Sequence, residues 1–394
     1  MREAVIVSAM RSPTARGKAD GALASVHPVD LAATVMRVAV DRAGVEPEAI
    51  EDVLWGCAMP EAAQGLKIAR VALLRAGLTG ETKGATIKRF CSSGLQTIAM
   101  GAQAIMTGMA DVVLAGGVEM MSQAPMSGYH ARLNPEITES YIGMGYTAER
   151  VAERWGISRE QQDEYAYHSQ RKAAEAWQRD AFADEIVTIP APRVTWHGAE
   201  REIEDVPVRR DETMRPETTV EGLAKLRPAF KTNGTVTAGN ASPFTDGSAA
   251  VVLMSREDAE ARGLEPLARF VSFATAGVEP DIMGVGPAKA VPKLLGRLGM
   301  TLDDVDLIEF NEAFAAQVLA VVHDLEMPED KLNVNGGAIA LGHPLGATGA
   351  KLTTSLIHEL RRRGGGTGLV TMCVGGGMGA AAILEVYGEG SGAG

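Results

Sequence analysis

Short apolar runs alternate with longer amphipathic stretches over the first part of the chain. Apolar residues that recur every three or four positions predict helices over residues 28–43 and 92–107. Compact apolar runs predict strands at 5–7 and 53–55, and a fully buried strand at 111–116. Strands that alternate with helices are typical of a layered α/β domain with a mostly parallel or mixed sheet.

The C-terminal part of the chain repeats this plan. Residues 43–54 resemble residues 298–308 at a separation of 255 positions. The helix-opening glycines Gly94 and Gly349 are separated by the same 255 positions. A repeat of this length favours two similar halves derived from a duplicated ancestor. The alternative is a chance similarity between two helix–turn–strand units.

Residues 119–250 interrupt the alternation. This segment contains five of the six tyrosines and three of the four tryptophans. Ser158 followed by Gln161 is typical of a capping box and predicts a helix that extends to about Arg179. We expect an insertion that covers the substrate or forms a subunit contact. The alternative is a packing excursion without a ligand role.

Composition disfavours several classes of protein. Apolar residues make up 46% of the 394 positions and charged residues 22%, which is typical of a soluble globular protein. The formal net charge of −12 disfavours nucleic-acid binding, which usually needs a basic surface. Three cysteines do not make a disulfide framework, so we expect a reducing compartment, the cytoplasm. Apolar runs are too short for a membrane span, and the N-terminal run predicts a strand rather than a secretory signal.

Cys91 is the first candidate for chemistry. It precedes the helical run that begins at Gly94, and the unpaired N–H groups of a helix start favour a reactive thiolate. A distant histidine would complete a pattern typical of nucleophilic catalysis. The alternative is a small buried hydrophobe, the usual fate of a free cysteine, and we expect that fate for Cys57.

His343 and Asn311 are two further polar positions in apolar or glycine-rich sequence. His343 precedes a helix whose start disfavours the imidazolium, so we expect a neutral ring that can accept a proton. Asn311 closes a predicted strand at 307–310 and opens a predicted helix over 312–325. It is either a helix N-cap or an amide that orients a water or an acyl oxygen.

Cys373 ends an apolar strand and is followed by a glycine loop that contains Gly375. The cysteine is a candidate acid–base, and the unobstructed N–H groups of the loop suit a developing oxyanion. Residues 375–380 also fit a loose dinucleotide-binding pattern, but too few residues follow for a βαβ unit. Together these positions indicate acyl transfer with carbon–carbon bond chemistry on a thioester.

Four motifs in combination resemble the thiolase family: Cys91-Ser-Ser-Gly, Asn311-Glu-Ala-Phe, Gly342-His-Pro and Cys373-x-Gly. A further segment, residues 237–242 followed by Asp246-Gly247, resembles the coenzyme A segment of that family. The resemblance extends from Val5 to Tyr387. Ketosynthases share the fold, but they typically carry a second histidine in place of Asn311 and lack a catalytic cysteine at the position of Cys373.

The resemblance implies a thiolase-like α/β fold with five layers in the order α-β-α-β-α. Two duplicated halves, each with a mixed five-stranded sheet, would carry a loop domain. The first half would span residues 1–118, with about 250–265 returning to it, and the second would span 266–394. The loop domain would span 119–249 and cover the coenzyme A site and the subunit contacts.

The resemblance also implies roles for the candidate residues. Cys91 would be the acylated nucleophile, His343 would activate it and later deprotonate coenzyme A, and Cys373 would move a proton at the α-carbon. One oxyanion hole would use His343 and a water on Asn311. The other would use the backbone N–H groups of Cys91 and Gly375.

Six positions match residues that contact acyl-CoA in the family. Phe230, Ala238 and Ser242 would line the pantetheine channel, and Arg215 would meet the nucleotide. Met144 and Phe314 would lie near the acyl group. Coenzyme A would therefore be a co-substrate, and neither a tightly bound cofactor nor a metal is expected.

The expected activity is that of an acyl-CoA C-acyltransferase, a 3-ketoacyl-CoA thiolase. The alternatives are a biosynthetic acetyl-CoA acetyltransferase and an inactive acyl-CoA-binding relative. Biosynthetic relatives usually place a histidine where this chain has Gly143, so we expect acceptance of longer acyl chains. The family also implies a homodimer or homotetramer, with fatty-acid β-oxidation enzymes as further candidate partners.

Overall fold

The computed structural model describes residues 2–124 and 134–390. The strands are β1 Ala4–Arg11, β2 Ala15–Arg16, β3 Asp52–Gly56, β4 Lys83–Ile87, β5 Val112–Met120, β6 Ile189–His197, β7 Glu200–Val208, β8 Thr245–Ser255, β9 Ala268–Gly277, β10 Leu307–Phe310, β11 Gly365–Val374 and β12 Met378–Tyr387. The α-helices are α1 Pro28–Ala43, α2 Ile68–Arg75, α3 Ser93–Met106, α4 Met144–Trp155, α5 Arg159–Gln178, α6 Val220–Ala224, α7 Arg256–Ala261, α8 Pro287–Leu298, α9 Ala315–Leu325, α10 Ala338–Leu341 and α11 Thr348–Arg362. Short 3-10 helices cover Pro47–Ala49, Ala62–Gln64, Phe90–Ser92, Pro135–Tyr141, Pro280–Val285, Leu302–Asp304, Glu329–Lys331 and Leu345–Ala347.

The first half of the chain forms a mixed sheet with the strand order β4-β3-β5-β8-β1. Its β3 pairs in parallel with both β4 and β5, whereas β8 runs antiparallel to β5 and β1. The short strand β2 adds to one end of β8. Strands β1, β3 and β5 and helices α1 and α3 confirm the elements that apolar periodicity predicts for this region.

The second half forms a mixed sheet with the strand order β10-β11-β12-β9. In the described part of the chain this sheet has four regular strands, and a parallel bridge between Ile308 and Leu332 stands where a fifth strand is expected. Antiparallel pairing of Val5 with Arg269 and Ile6 with Ala268 connects the two sheets through β1 and β9. The mixed-sheet character predicted for both halves is confirmed.

Strand pairing in the two halves follows the internal repeat. In the first half Asp52 pairs with Val113 across β3 and β5. In the second half Leu307 pairs with Gly368 across β10 and β11. Both members of the second pair lie 255 positions after their counterparts, the separation found between the similar sequence segments. The same strand register in both halves supports duplication, since a chance similarity between two short segments would not produce the same register.

Helices and sheets stack in five layers. Helices α3 and α11 occupy the central layer, where their apolar faces pack against the inner faces of both sheets. Helices α1 and α2 cover the outer face of the first sheet, and α8 and α9 cover the outer face of the second. Each sheet is therefore apolar on both sides, which explains why its strands read as continuous apolar runs.

The aromatic-rich segment lies between β5 and β8. Its described part contains α4, α5, the antiparallel hairpin β6–β7 and α6. The predicted capping box is present, because the Ser158 side chain accepts from the Gln161 N–H and the Gln161 side chain accepts from the Ser158 N–H. In residues 2–124 and 134–390, none of the helices has the length and apolar character that a membrane crossing requires.

Helices α3 and α11 meet through glycines in their first turns. A Cβ atom on Gly94 would lie 2.9 Å from the backbone nitrogen of Ala350, and one on Gly349 would lie 2.2 Å from that of Leu95. Side chains do not tolerate such distances to a backbone atom, so the contact requires glycine on both helices. Because Cys91 precedes α3 and His343 precedes α11, the contact brings both candidate residues to the same end of the central layer.

Replacement of Gly349 by alanine should destabilise the fold. The added methyl group would meet the Leu95 backbone, and such overpacking costs about 1–3 kcal/mol. We expect a lower free energy of unfolding in urea. The matched control is Gly296→Ala in α8, where an added Cβ has no atom of a described residue within 4 Å. That change should stabilise the helix by about 0.5–1 kcal/mol. Equal effects of the two substitutions would contradict the close contact between α3 and α11.

Candidate active site

Cys91 lies in the 3-10 turn Phe90–Ser92, immediately before α3, and is 1% exposed. Phe90 adopts φ +42°, a left-handed conformation that few non-glycine residues adopt. The Ser93 hydroxyl holds this corner, since it accepts from the Arg89 N–H at 2.9 Å and donates to the Phe90 carbonyl at 2.7 Å. The turn contacts both β11 and the turn Leu345–Ala347, so the Cys91 sulfur lies between the two halves.

Burial raises the pKa of the Cys91 thiol to about 11. The N–H groups of Gly375 and of Cys91 itself face the sulfur and counteract part of this rise. The backbone donors favour the thiolate, as predicted, but desolvation outweighs them. A neighbouring base must remove the proton before Cys91 can attack.

Cys373 lies near the end of β11 and is fully buried. Burial raises the pKa of its thiol well above the usual value, and the charge of a Cys91 thiolate would raise it further. This electrostatic interaction indicates that the two thiols lie close to each other. The loop after Cys373 joins two antiparallel strands, and Gly376 and Gly377 have positive φ values of 84° and 86°. This hairpin excludes the dinucleotide-binding pattern, which needs a strand followed by a helix.

His343 is 5% exposed, and its two ring nitrogens have different partners. Nδ1 lies 2.6 Å from the Thr348 hydroxyl, which itself donates to the Pro344 carbonyl at 2.9 Å. The hydroxyl proton is thus occupied, so Nδ1–H must donate to Thr348. This arrangement leaves a lone pair on Nε2, which faces the Asn311 amide nitrogen at 3.4 Å. Thr348 therefore fixes the tautomer in which Nε2 can accept a proton.

The imidazole of His343 is neutral. Burial lowers its pKa to about 3, and the positive charge of Lys351 contributes in the same direction. The neutrality predicted from sequence is confirmed, but desolvation is the main cause. A neutral buried ring can take up a proton from a thiol only when the resulting thiolate pairs with it.

Asn311 is fully buried directly after β10. Helix α9 begins at Ala315 with Phe314 at its N-cap position, so the prediction of a helix over 312–325 is wrong at its start. The alternative of Asn311 as an N-cap is thereby excluded. Its Oδ1 is buried and has no hydrogen-bond partner among the residues that the structure describes. Such an oxygen can accept from a water or a substrate group.

Glu312, which sequence reasoning did not single out, supports the neighbouring Asn311. Its carboxylate accepts from Tyr165 at 2.9 Å and Ser169 at 2.6 Å in α5, and from Asn333 at 3.0 Å. It also accepts from the Ile339 N–H at 3.1 Å, shortly before His343 in the chain. One buried carboxylate thus connects α5 with the segments of Asn311 and His343. The sequence signal for Glu312 was its position next to Asn311 in the motif Asn311-Glu-Ala-Phe.

Glu119 is a second buried carboxylate that sequence reasoning missed. It accepts from the N–H groups of Ala58 and Gly346, both at 2.8 Å, and from the Gln64 amide at 2.7 Å. Cys57 is fully buried beside it, as expected, but its surroundings are not purely apolar, since its sulfur lies 3.7 Å from the carboxylate. A lone glutamate at the end of an apolar strand was the sequence signal.

Three of the expected acyl-CoA residues lie near Cys373. Met144 and Phe314 pack in the same apolar cluster as the Cys373 sulfur. Phe230 meets Phe314 edge-to-face with 6.1 Å between ring centroids, and Phe230 is 38% exposed. This aromatic pair extends from the buried cysteine to the surface.

The remaining three expected residues lie further out. Ser242 is half-buried and its N–H donates to the Ala313 carbonyl at 3.0 Å, next to Phe314. Ala238 and Arg215 are exposed. The Arg215 backbone N–H donates to the Gln170 side chain at 2.8 Å. The guanidinium of Arg215 takes no part in this hydrogen bond. Within the described ranges, no group of three or more His, Cys, Asp and Glu side chains is arranged to hold a metal ion.

Two buried cysteines, a neutral imidazole with a lone pair on Nε2 and an amide oxygen without a partner among the described residues define an enzyme of the acyltransferase class. Comparison with known families gives the same result. Residues 4–257 match the family described as "Thiolase, N-terminal domain", and residues 264–386 match "Thiolase, C-terminal domain". The chain belongs to the thiolase family.

Similar proteins cover nearly the full length of the chain. A 3-ketoacyl-CoA thiolase of Bacillus subtilis strain 168 is 50% identical over 392 residues, which are 98% of this chain and 100% of that protein. An acetyl-CoA acetyltransferase of Escherichia coli strain K12 is 46% identical and covers 98% of this chain and 99% of its own length. The crystal structure of a Bacillus anthracis acetyl-CoA acetyltransferase, 44% identical, superposes with a TM-score of 0.87 over 98% of this chain and 99% of that one.

Replacement of Thr348 by valine should slow acyl transfer. The loss of the hydroxyl leaves His343 Nδ1–H without its partner and frees the tautomer and the ring orientation. We expect kcat to fall about tenfold, the equivalent of ~1.4 kcal/mol. Thr348→Ser retains the hydroxyl and should keep most of the wild-type kcat. A valine variant as active as the serine variant would show that the hydroxyl does not position His343.

Proposed function

We propose that this chain cleaves 3-ketoacyl-CoA with coenzyme A, which yields acetyl-CoA and an acyl-CoA shortened by two carbons. The observation that carries the proposal is the convergence of Cys91 and Cys373 with the His343–Asn311 pair at one end of the central layer. The alternative of an inactive acyl-CoA-binding protein is disfavoured, because all four side chains are present. Thiolysis of acetoacetyl-CoA, followed by absorbance, would decide between the two.

The first half-reaction forms an acyl-enzyme. His343 Nε2 takes the thiol proton of Cys91, and the thiolate attacks the 3-keto carbon of the substrate. The bond between the α- and β-carbons then breaks, and its electron pair passes to the acetyl-CoA enolate. Cys373 donates its proton to the α-carbon, and acetyl-CoA leaves. Cys373 suits this role because burial keeps its thiol protonated until carbon accepts the proton.

The second half-reaction returns the enzyme to its starting state. After the first half-reaction His343 carries the proton of Cys91 and Cys373 is a thiolate, so a proton passes from the imidazolium to Cys373. The neutral His343 then deprotonates the thiol of incoming coenzyme A. The new thiolate attacks the acyl carbonyl on Cys91, the bond to the Cys91 sulfur breaks, and the Cys91 thiolate takes the proton back from His343 as the shortened acyl-CoA leaves. The same steps in reverse make a carbon–carbon bond, so the chemistry is a reversible Claisen condensation.

Each carbonyl needs donors for its developing negative charge. The N–H groups of Cys91 and Gly375, which face the Cys91 sulfur, suit the oxygen of the acyl group bound there. For the enolate oxygen, we propose the protonated Nε2 of His343 and a water held by Asn311, whose Oδ1 is open to a donor. Loss of one such donor typically costs about 2.7–4 kcal/mol of barrier.

The two cysteines should have different roles that can be measured separately: acylation for Cys91 and proton transfer at the α-carbon for Cys373. After incubation with acyl-CoA, peptide mass spectrometry should find the acyl group on Cys91. Cys373→Ser should still acylate Cys91 from acetyl-CoA, but it should lose exchange of the α-protons with deuterated water. Acylation of Cys57 or Cys373 in an active Cys91→Ala variant would contradict the first assignment, and wild-type exchange in Cys373→Ser the second.

Coenzyme A is proposed as a co-substrate and not as a bound cofactor. The exposed guanidinium of Arg215 would meet the nucleotide, and Phe230, Ala238 and Ser242 would line the path of the pantetheine arm to Cys373. The partly exposed Phe230, in contact with the buried Phe314, supports this path.

Some relatives are named 3-ketoacyl-CoA thiolase and others acetyl-CoA acetyltransferase, so the proposed direction of the reaction rests on this chain's own residues. We propose the degradative type with longer acyl chains. Gly143 adopts φ −64° and ψ 136°, which any residue can adopt, so the backbone does not require glycine there. Among residues 2–124 and 134–390, an added Cβ would touch only Tyr146, at 3.4 Å. Glycine at this position therefore leaves space that a larger side chain would fill.

The measurement is kcat/KM for C4, C8 and C16 3-ketoacyl-CoA in the direction of thiolysis. We expect the longer chains to be accepted, since each buried methylene is worth about 0.8 kcal/mol. Gly143→His should reduce kcat/KM for C8 and C16 about tenfold more than for C4. A wild-type preference for C4 above about tenfold, or ~1.4 kcal/mol, would favour the biosynthetic acetyl-CoA acetyltransferase instead.

We also propose a homodimer or homotetramer. Strand β4 is the outer strand of the first sheet, and its residues Gly84–Ile87 are only half-buried. An edge with unpaired backbone groups can pair with a second chain, which supports association. Light scattering at micromolar concentration should give at least twice the 41.4 kDa chain mass. A fully active monomer would contradict the proposal. Association with other β-oxidation enzymes remains a proposal from the family resemblance.

A further inference from the structure

The residues immediately before Gly342-His343 are held by side chains from a distant segment. Thr213 Oγ1 donates to the Ala340 carbonyl at 2.7 Å. Gln170 Nε2 donates to the Ile339 carbonyl at 3.3 Å, while its Oε1 accepts from the Arg215 N–H at 2.8 Å. Two successive carbonyls before the catalytic loop thus depend on contacts that run to residues 213 and 215.

A third contact follows the same order. The Thr14 hydroxyl lies 2.6 Å from the Leu341 carbonyl, and the Thr14 N–H donates to Asp211 at 2.7 Å. Residues 211, 213 and 215 are therefore connected by hydrogen bonds, in that order, to residues 341, 340 and 339. We call these three connections, with Thr14 and Gln170 as intermediates, the polar ladder.

The polar ladder has a rigid end. Arg11 is fully buried, and its guanidinium donates to both Asp211 oxygens, at 2.9 and 3.1 Å. Burial would raise the pKa of Asp211, but the charge of Arg11 holds it below its usual value. Asp211 and Thr213 are buried, whereas Arg215 is exposed. The ladder thus runs from a fixed ion pair in the interior to a cation at the surface.

We propose that the polar ladder couples the nucleotide end of coenzyme A to the position of His343. The inference rests on the proposed function, in which Arg215 meets the nucleotide. A phosphate bound by Arg215 restrains the backbone of residues 213–215, and Thr213 and Gln170 pass that restraint to the carbonyls of Ala340 and Ile339. Small displacements of a catalytic group reduce rates strongly, so a restraint on this run favours productive geometry at His343. Thr213 and Gln170 are positioning residues, and neither is proposed to touch the reacting atoms.

The first test compares substrates with and without the nucleotide. Wild type, Thr213→Val and Thr213→Ser are assayed with acetoacetyl-CoA and coenzyme A, and with acetoacetyl-pantetheine and pantetheine. Thr213→Val should lower kcat at least fivefold for the coenzyme A pair and less than twofold for the pantetheine pair, whereas Thr213→Ser behaves as wild type. Thr34→Val is the matched control, because the Thr34 hydroxyl also donates to a backbone carbonyl, in the outer helix α1. It should leave both rates unchanged.

Equal losses with both pairs, or a loss no larger than that of Thr34→Val, would overturn the proposal. Equal losses would mean that the polar ladder only holds the fold together. Thermal unfolding of each variant checks that Thr213→Val is folded. If it is not, Gln170→Leu, which removes a different connection, is assayed in the same way.

The second test does not depend on catalysis. Adenosine 3′,5′-bisphosphate, the nucleotide end alone, is added while amide hydrogen exchange is followed in the peptide that spans residues 337–343. Exchange should slow in the wild type and in Thr34→Val, but not in Thr213→Val. Bound nucleotide without slower exchange in the wild type would overturn the coupling even if thiolysis is normal. Slower exchange in a chain that does not cleave acetoacetyl-CoA would instead overturn the proposed function.

Discussion

The close approach of α3 and α11 is the constraint on which the rest of the structure depends. Gly94 and Gly349 leave no room for a side chain, so the first turns of the two helices meet backbone to backbone. Each helix belongs to a different half, and each is preceded by a candidate catalytic residue. The sheets and outer helices supply apolar cover for this contact. The site is therefore assembled by packing between halves, and neither half contains it alone.

Burial sets the chemistry of that site. It keeps the thiols of Cys91 and Cys373 protonated and the ring of His343 neutral, so the resting site holds no charge on these three groups. The nearby buried carboxylates of Glu119 and Glu312 are each met by several donors, which offsets the cost of their desolvation. Charge then develops only where the reaction creates it, which is the condition under which fixed donors act most strongly.

Much of this fold could be predicted from the sequence because the relevant signals are local or repeated. Apolar periodicity gave the elements around Leu95 and Val113, and the separation of 255 positions reappears in the strand register. The catalytic positions were accessible because their motifs are compact. The tautomer of His343 could not be predicted from the sequence, since it depends on which group the Thr348 hydroxyl donates to. The start of α9 was missed because the chain stays extended through Phe314, with the Ala315 N–H bonded to the distant Asn240 carbonyl. Such long-range hydrogen bonds produce no periodic pattern in the sequence.

The duplication has a consequence for symmetry. The counterpart of Cys91 in the second half, 255 positions later, is Gly346. A Cβ at Gly346 would lie 2.6 Å from the Cα of Cys57, and its carbonyl fills the space beside Gly94 and Gly117. Only one of the two equivalent helix starts can therefore carry a side chain. In this chain the two halves are therefore not equivalent at the reactive centre, and the reason is steric: the space that a side chain at Gly346 would need is filled by backbone of the first half.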